Sequence, residues 1–191
     1  GSKPANKPVV ASDLDPTIIT GQTALAVEPA STDEFLISDA GVLKRLDASL
    51  IGGGKVLQVV DVSTESQVAT TSTSYVAVSG MTLDITPSAT SSKILLIHSA
   101  NIQTGAGFYG YYTIYRDSTD VSVSHANLGL GSNYSSSGTQ ATSMHFTKLD
   151  SPSTTSQITY TVQHRSSNGT AMHYGEPDGT TTTLIAIEIG A

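Results

Sequence analysis

Eight tyrosines and five histidines are the side chains of this 191-residue chain best suited to chemistry or recognition. The histidines are His98, His125, His145, His164 and His173. No two stand at H-x-H spacing and none belongs to an H-E-x-x-H pattern, so the chain is expected to hold no metal by itself. His98 and His164 fall in phase with apolar positions of their segments. They read as hydrogen-bonded core or interface residues; the sharper alternative is a metal shared by symmetry-related copies on a threefold axis. Two carboxylate pairs occur, Asp117 with Asp120 in "RDSTD" and Glu176 with Asp178 in "GEPDG". Acid–base catalysis needs two carboxyl groups in one cleft with separated pKa values. These pairs sit among Ser, Gly and Pro, which is the chemistry of turns. There is no G-x-S-x-G elbow and no phosphate-binding loop. The chain reads as a non-enzyme without a cofactor.

Tyrosine points to recognition instead. It offers a rigid apolar ring with a hydroxyl that stays satisfied in water. Four crowd into "FYGYYTIY" (108–115), and Trp is absent. Tyr134 lies in "GLGSNYSSSG" (129–138), which reads as a long surface loop, the usual place for binding residues. Tyr134, with its neighbours Asn133 and Ser132, is the leading candidate for ligand contact. Tyr174, Asn168 and Asp178, in or beside turn-rich segments, are grouped with it. Tyr109, Tyr111 and Tyr115 are expected to line a sheet face or an interface between copies.

The elements that must carry these residues are strands. Hydrophobic residues make up 38% and charged residues only 13% of the chain. Ser and Thr fill the difference. β-Branched residues favour pleated strands and Gly and Ser favour turns, so an all-β protein with many short strands is expected. Net charge is -7. Lys and Arg are few and scattered, which leaves no footprint for nucleic acid. Without cysteine there is no disulfide framework and no thiolate metal site. No segment reads as a signal peptide or as a membrane span.

Three regions follow. Residues 1–22 hold three of the seven prolines and read as an extended arm or linker. Residues 23–54 contain a β-hairpin, "EFLIS" and "VLKRLD" joined through "DAG", ending in a Gly hinge. A lone hairpin has no second layer to cover its apolar face. Leu36, Val42 and Leu46 are expected to point together and to need a partner, with Lys44 and Arg45 toward solvent or a neighbouring chain. Residues 55–191 carry ten strand candidates and fit a jelly-roll-like antiparallel β-sandwich. Among them "YVAVSG" and "MTLDIT" are separate strands and "VSVSHA" (121–126) is another. Alternation places Ile94, Leu96, Ile102, Met81, Leu83, Ile85, Ile158, Tyr160 and Val162 in the core, with Ile185, Ile187 and Ile189. Leu184, Ala186, Leu95, Ile97 and the strand tyrosines then face outward. A second apolar face predicts contact between copies of the chain, and Leu184, Tyr109 and Tyr111 are assigned to it with the hairpin residues.

Several phrases, in order, resemble tail-fibre proteins of marine bacteriophages, cyanophages among them. They are "ANKPVVASDLDPTIITGQTAL", "STDEFLISDAGVLKRLDASLI", "GKVLQVV", "DITPSATSSKILLI" and "YYTIYRDST", with the terminal "LIAIEI". The first two are similar to the repeat-like linker of such fibres and the rest to their C-terminal knob. The resemblance implies a homotrimeric fibre tip at the distal end of the virion tail. It would be joined to other virion tail proteins and would adsorb to a bacterial receptor, a lipopolysaccharide or other glycan or an outer-membrane protein. A non-adhesive structural virion part, such as a fibre shaft or capsid decoration, is the alternative. A glycan-depolymerising tailspike is a more distant one.

Overall fold

The computed structural model describes residues 32–51, 56–122, 128–175 and 180–190, together with positions 21, 23, 27, 29 and 30. The chain divides into two compact units, Gly1–Gly53 and Gly54–Ala191.

In the first unit β1 (Glu34–Asp39) and β2 (Val42–Asp47) pair antiparallel, followed by a 3-10 turn at Ala48–Leu50. Two residues connect the strands, Ala40 at φ 49° and Gly41 at φ 82°. Two consecutive positive φ values define the type I′ turn, whose twist matches that of the flanking strands. Arg45 pairs with Glu34 at 2.8 Å, and Lys44 with Asp39. The register corrects one expectation. Directly opposed residues share a face, and the opposed pairs are Phe35 with Leu46, Ile37 with Lys44, Asp39 with Val42, and Leu36 with Arg45. Leu36 therefore lies on the face opposite Val42 and Leu46, and the three cannot meet on one axis through one surface. Lys44 shares the face of Val42 and Leu46, with Phe35 and Ile37. Leu36 is 69% and Val42 58% exposed.

The second unit is a two-layered antiparallel sandwich. Its strands are β3 (Val56–Thr64), β4 (Val68–Thr70), β5 (Val76–Ile85), β6 (Lys93–Thr104), β7 (Phe108–Arg116), β8 (Thr119–Asp120), β9 (Gly131–Ser135), β10 (Gln140–Asp150), β11 (Ile158–Ser166), β12 (Met172–Tyr174) and β13 (Thr182–Ile189). One sheet runs β3-β13-β6-β10, with β4 and β12 extending it at one end. The other runs β5-β11-β7, and β8 and β9 share the far edge of β7. Taking the eight long strands in chain order, the first, eighth, third and sixth form one sheet and the second, seventh, fourth and fifth the other. That interleaving is the jelly roll, two Greek keys wound together.

The core follows the alternation of β5, β6 and β11. Met81, Leu83, Ile85, Ile94, Leu96, Ile102, Ile158, Tyr160 and Val162 are all buried. Three differences from expectation have local causes. "YVAVSG" and "MTLDIT" belong to the single strand β5, which bulges opposite Val162 with Gly80 at φ 80°. The bulge shifts the inward phase, so Val78 and Met81 both face the core. On β13 the phase is the reverse of that expected. Leu184 and Ala186 are fully buried, opposed to His98 and Leu96, whereas Ile185, Ile187 and Ile189 lie on the outer face. Glu188 is the reason. It points inward with Leu184 and is fully buried, its carboxylate accepting from Gln58 Nε2 at 2.6 Å and from Ser88 N and Oγ at 2.7 Å each. Finally, 131–135 is strand β9 paired to β7 rather than loop. The strand proposed at 121–126 falls mostly outside the described residues.

Candidate functional site

The outer face of the sheet containing β7 gathers the tyrosines. On β7 the inward residues are Phe108, Gly110, Tyr112 and Ile114, so Tyr109, Tyr111 and Tyr115 face outward. Cross-strand pairing sets their neighbours: Tyr109 opposes Tyr134 of β9, and Tyr111 opposes Ser132 on one side and Arg165 of β11 on the other. Ring centroids of Tyr134 and Tyr109 are 4.6 Å apart, and those of Tyr109 and Tyr111 are 5.7 Å apart and nearly parallel. The Arg165 guanidinium lies 4.1 Å from the Tyr111 ring centre and 5.2 Å from that of Tyr75, and Tyr75 in turn meets Tyr115 at 6.2 Å. The result is a continuous ladder of five tyrosines and one arginine across the face.

The ladder has a covered end and an open end. At the covered end the 128–130 segment presses onto β7, with Leu130 N donating to Tyr112 O at 2.8 Å. Gly129 makes this approach possible: its φ is 65°, and a Cβ there would lie 2.4 Å from Tyr112 O and 2.5 Å from the Tyr75 hydroxyl. Burial pushes the Tyr75 phenol up to about 12, against the opposing effect of its hydrogen bond with Arg165. At the open end Tyr109 and Tyr134 are each 44% exposed. Ser167 braces this end, accepting from Tyr109 N through its hydroxyl at 2.9 Å and donating its own N–H to Tyr109 O at 2.8 Å.

The sequence-proposed residues sort accordingly. Tyr134, Ser132, Tyr109 and Tyr111 come together on this face. Asn168 sits in the exposed turn beside Ser167, where its Oδ1 accepts from Thr170 N at 3.0 Å. Asn133 is instead buried and donates through Nδ2 to Thr104 at 3.0 Å, because the alternation of β9 turns it inward. Tyr174 is fully buried as well. Asp178 lies outside the described residues, as do Glu176 and His125. Leu184, being in the core, has no surface to offer another copy. Arg165 and Tyr75 join this face without a motif in the sequence that marks them. The alternation of "ITYTVQHR" turns Arg165 outward, but only the register with Tyr111 shows what it covers.

Tyr174 belongs to a polar cluster between the sheets. Its hydroxyl is 2.5 Å from His98 Nε2, and His98 Nδ1 is 2.8 Å from the Thr183 carbonyl. A carbonyl can only accept, so Nδ1 carries the proton and Nε2 accepts from the phenol. His164, T-shaped against Tyr174, completes the cluster with Tyr112. Burial brings both His98 and His164 down to about 4 and raises the phenols of Tyr112 and Tyr174. Both histidines lie inside one chain, which removes them from any symmetry axis. Among the described residues no group of three or more His, Cys, Asp or Glu is placed to hold a metal ion. Asp117 and Asp120 are turn residues: Asp117 accepts from Thr159 N, and Asp120 from Ser122 N and the Thr113 hydroxyl. A cavity of about 330 Å3 opens beside Asp120, between Arg116 and Lys148. Its Arg116 is already bound to Asp150 at 2.8 Å, and Tyr160 donates to the same carboxylate at 2.6 Å.

Fold and face thus define a jelly-roll domain with a partly exposed aromatic face. No protein-family model matches the chain, and no curated protein matches it. Among solved structures it is similar to T=1 particles derived from infectious bursal virus, at 13% identity and a TM-score of 0.40, and to the Gx strain of infectious bursal disease virus, at 15% and 0.38. Each comparison covers 80% of this chain but only 39% and 35% of the other. Likeness this loose assigns neither a family nor a function.

Proposed function

We propose that this chain is a structural component of a virion, a non-enzymatic β-sandwich that assembles in several copies. The observation that carries the reading is an apolar row across the outer face of the β3-β13-β6-β10 sheet. Val59, Ile187, Leu95 and Leu149 are successive cross-strand neighbours, four strands wide, and Ile185 and Ile97 continue the row. Val59 is 56% and Leu149 49% exposed. Contiguous apolar surface of this kind is what assembly contacts cover. The sequence resemblance supplies the setting, a virion, and its closed threefold form. Native mass in solution tests it: a multiple of 19.7 kDa is expected, and a stable monomer at high concentration sinks it.

A second reading, adsorption to a host surface as a fibre tip, is favoured by the tyrosine face. Tyrosines left exposed in pairs beside small hydroxyl residues resemble the composition of binding surfaces more than that of inert ones. Repeated copies would raise the avidity of weak individual contacts. Purified protein should then coat host cells, and Tyr109→Ala with Tyr134→Ala should abolish the coating. Coating that survives both substitutions would move recognition elsewhere.

A further inference from the structure

We infer that the open end of the tyrosine ladder is a binding site for an uncharged polysaccharide, held by Tyr109 and Tyr134 with Tyr111, Ser132 and Ser167 around them. The inference rests on the adsorption reading only for its biological setting; the site itself stands on geometry. Three segments meet at this end of the sandwich: 101–111, 131–140 and 166–171. None contains a charged residue or a histidine. They converge because β9 pairs with β7 and because Ser167 bonds both ways to the Tyr109 backbone. The nearest cation in the ladder, Arg165, already lies over the rings of Tyr111 and Tyr75.

Ligand class follows from what this surface can and cannot satisfy. A charged ligand would lose water here without meeting an opposite charge, which is unfavourable. A purely apolar ligand would leave the phenol and serine hydroxyls without partners. A sugar ring matches both demands, since its C–H face packs on an aromatic ring while its hydroxyls exchange hydrogen bonds with the rim. Tyr109 and Tyr134 supply adjacent rings 4.6 Å apart. Ser132 is exposed beside Tyr111, its cross-strand neighbour. Ser167 Oγ accepts from Tyr109 N and keeps its own proton to donate outward. The rings lie on an open sheet face, which suits an extended chain passing over them more than a small molecule enclosed on all sides.

Affinity electrophoresis of the full chain through gels containing dextran, laminarin or hydroxyethyl cellulose tests this, with alginate as the charged comparator. At least one neutral polymer should retard the protein and alginate should not. Tyr109→Ala and Tyr134→Ala should each weaken retardation roughly tenfold or more, as truncating an aromatic anchor does. Tyr134→Phe, which keeps the ring, should stay within about threefold, the smaller effect of one surface hydroxyl. The absence of Trp makes tyrosine fluorescence a second readout of the same contact. Failure of all three neutral polymers to retard the wild-type chain overturns the inference, as does equal retardation of the alanine variants. Host cells stripped of intact sugars by periodate separate the two readings. Adsorption that survives periodate yet needs Tyr109 overturns the glycan and leaves adsorption standing. Retardation by a neutral polymer without any adsorption to cells does the reverse.

Discussion

The two sheets of the sandwich share one interior and differ on their outer faces. The β3-β13-β6-β10 sheet shows aliphatic side chains, Val59, Ile187, Leu95 and Leu149, in one row. The sheet built around β7 and β11 shows Tyr109, Tyr111, Tyr134, Arg165 and a series of threonines and serines. Aliphatic surface gains most by leaving water altogether, which suits a permanent contact. Tyrosine and serine surface is stable both wet and covered, which suits a contact made and broken. A jelly roll does not dictate this division, since the fold is used for many purposes. The division is written in the outward half of each alternating strand.

The interior is common to both faces, so disturbing it should disable both, and these are the largest effects expected. Leu184→Ala removes a fully buried side chain opposed to His98. It should destabilise the domain by about 2–5 kcal/mol, measured by denaturant unfolding at one fixed protein concentration. A loss confined to assembly, with the unfolding free energy of the dissociated chain unchanged, would return Leu184 to the surface. The same measurement on Ile185→Ala should give a smaller loss, because that residue is only half-buried on the outer face.

Acid should act next, and again on both faces together. His98 and His164 are held near 4 in the fold against 6.5 in the unfolded chain, through burial in each case. The unfolded chain therefore binds protons first as pH falls below 6.5, and stability drains away between about 6.5 and 4. Each histidine accounts for at most about 3 kcal/mol of that loss. Glu188 extends the decline. Burial alone would raise its carboxyl, but hydrogen bonds from Gln58 and Ser88 outweigh it and bring the group to about 2. Its share is complete above 4.5 and is lost from there toward 2. Melting temperature should fall steadily from pH 7 to 4, with a shallower slope in His164→Gln; a flat profile above pH 5 would contradict buried neutral histidines.

How much of this was legible beforehand divides along the same physical line. The core of β5, β6 and β11 was readable because large apolar residues recur at every second position there, Met81, Leu83 and Ile85, Ile94 and Leu96, and Ile158, Tyr160 and Val162. β13 misled because "TLIAIEI" is apolar on both phases except for Glu188, and a lone Glu argues for the outside unless its hydrogen-bond partners are known. Gln58 and Ser88 are 130 and 100 residues away in sequence. β9 misled for a related reason: Gly131, Asn133 and Ser135 face inward, so a polar composition concealed a strand. The tyrosine face was half legible. Strand phase places Tyr109 and Tyr111 outside, but only pairing brings Tyr134 and Arg165 to them. The hairpin turn was legible from Gly41, whereas the face of Leu36 depended on a register that composition does not fix.

Two smaller effects separate the faces from each other. Val59→Asp with Leu149→Asp places charge on the aliphatic row at exposed positions. The mass in solution should drop to that of one chain, while binding per chain to a neutral polysaccharide is kept. Loss of both together would mean that the tyrosine site is completed by a neighbouring copy.

The smallest effect expected is also the most discriminating. Tyr109→Ala and Tyr134→Ala remove large side chains, yet each ring is 44% exposed and neither belongs to the core. Unfolding free energy should change by about 0.5 kcal/mol or slightly more, since surface substitutions and single exposed aromatic pairs contribute on that scale. Near-wild-type stability, unchanged mass and lost ligand retardation would isolate a surface kept for recognition. A loss of several kcal/mol would instead make the pair a structural brace for the β7–β9 edge, with Ser167 as its partner. In that case the chain would have one working face, the aliphatic one, and the partly exposed tyrosine rings would need no ligand to explain them.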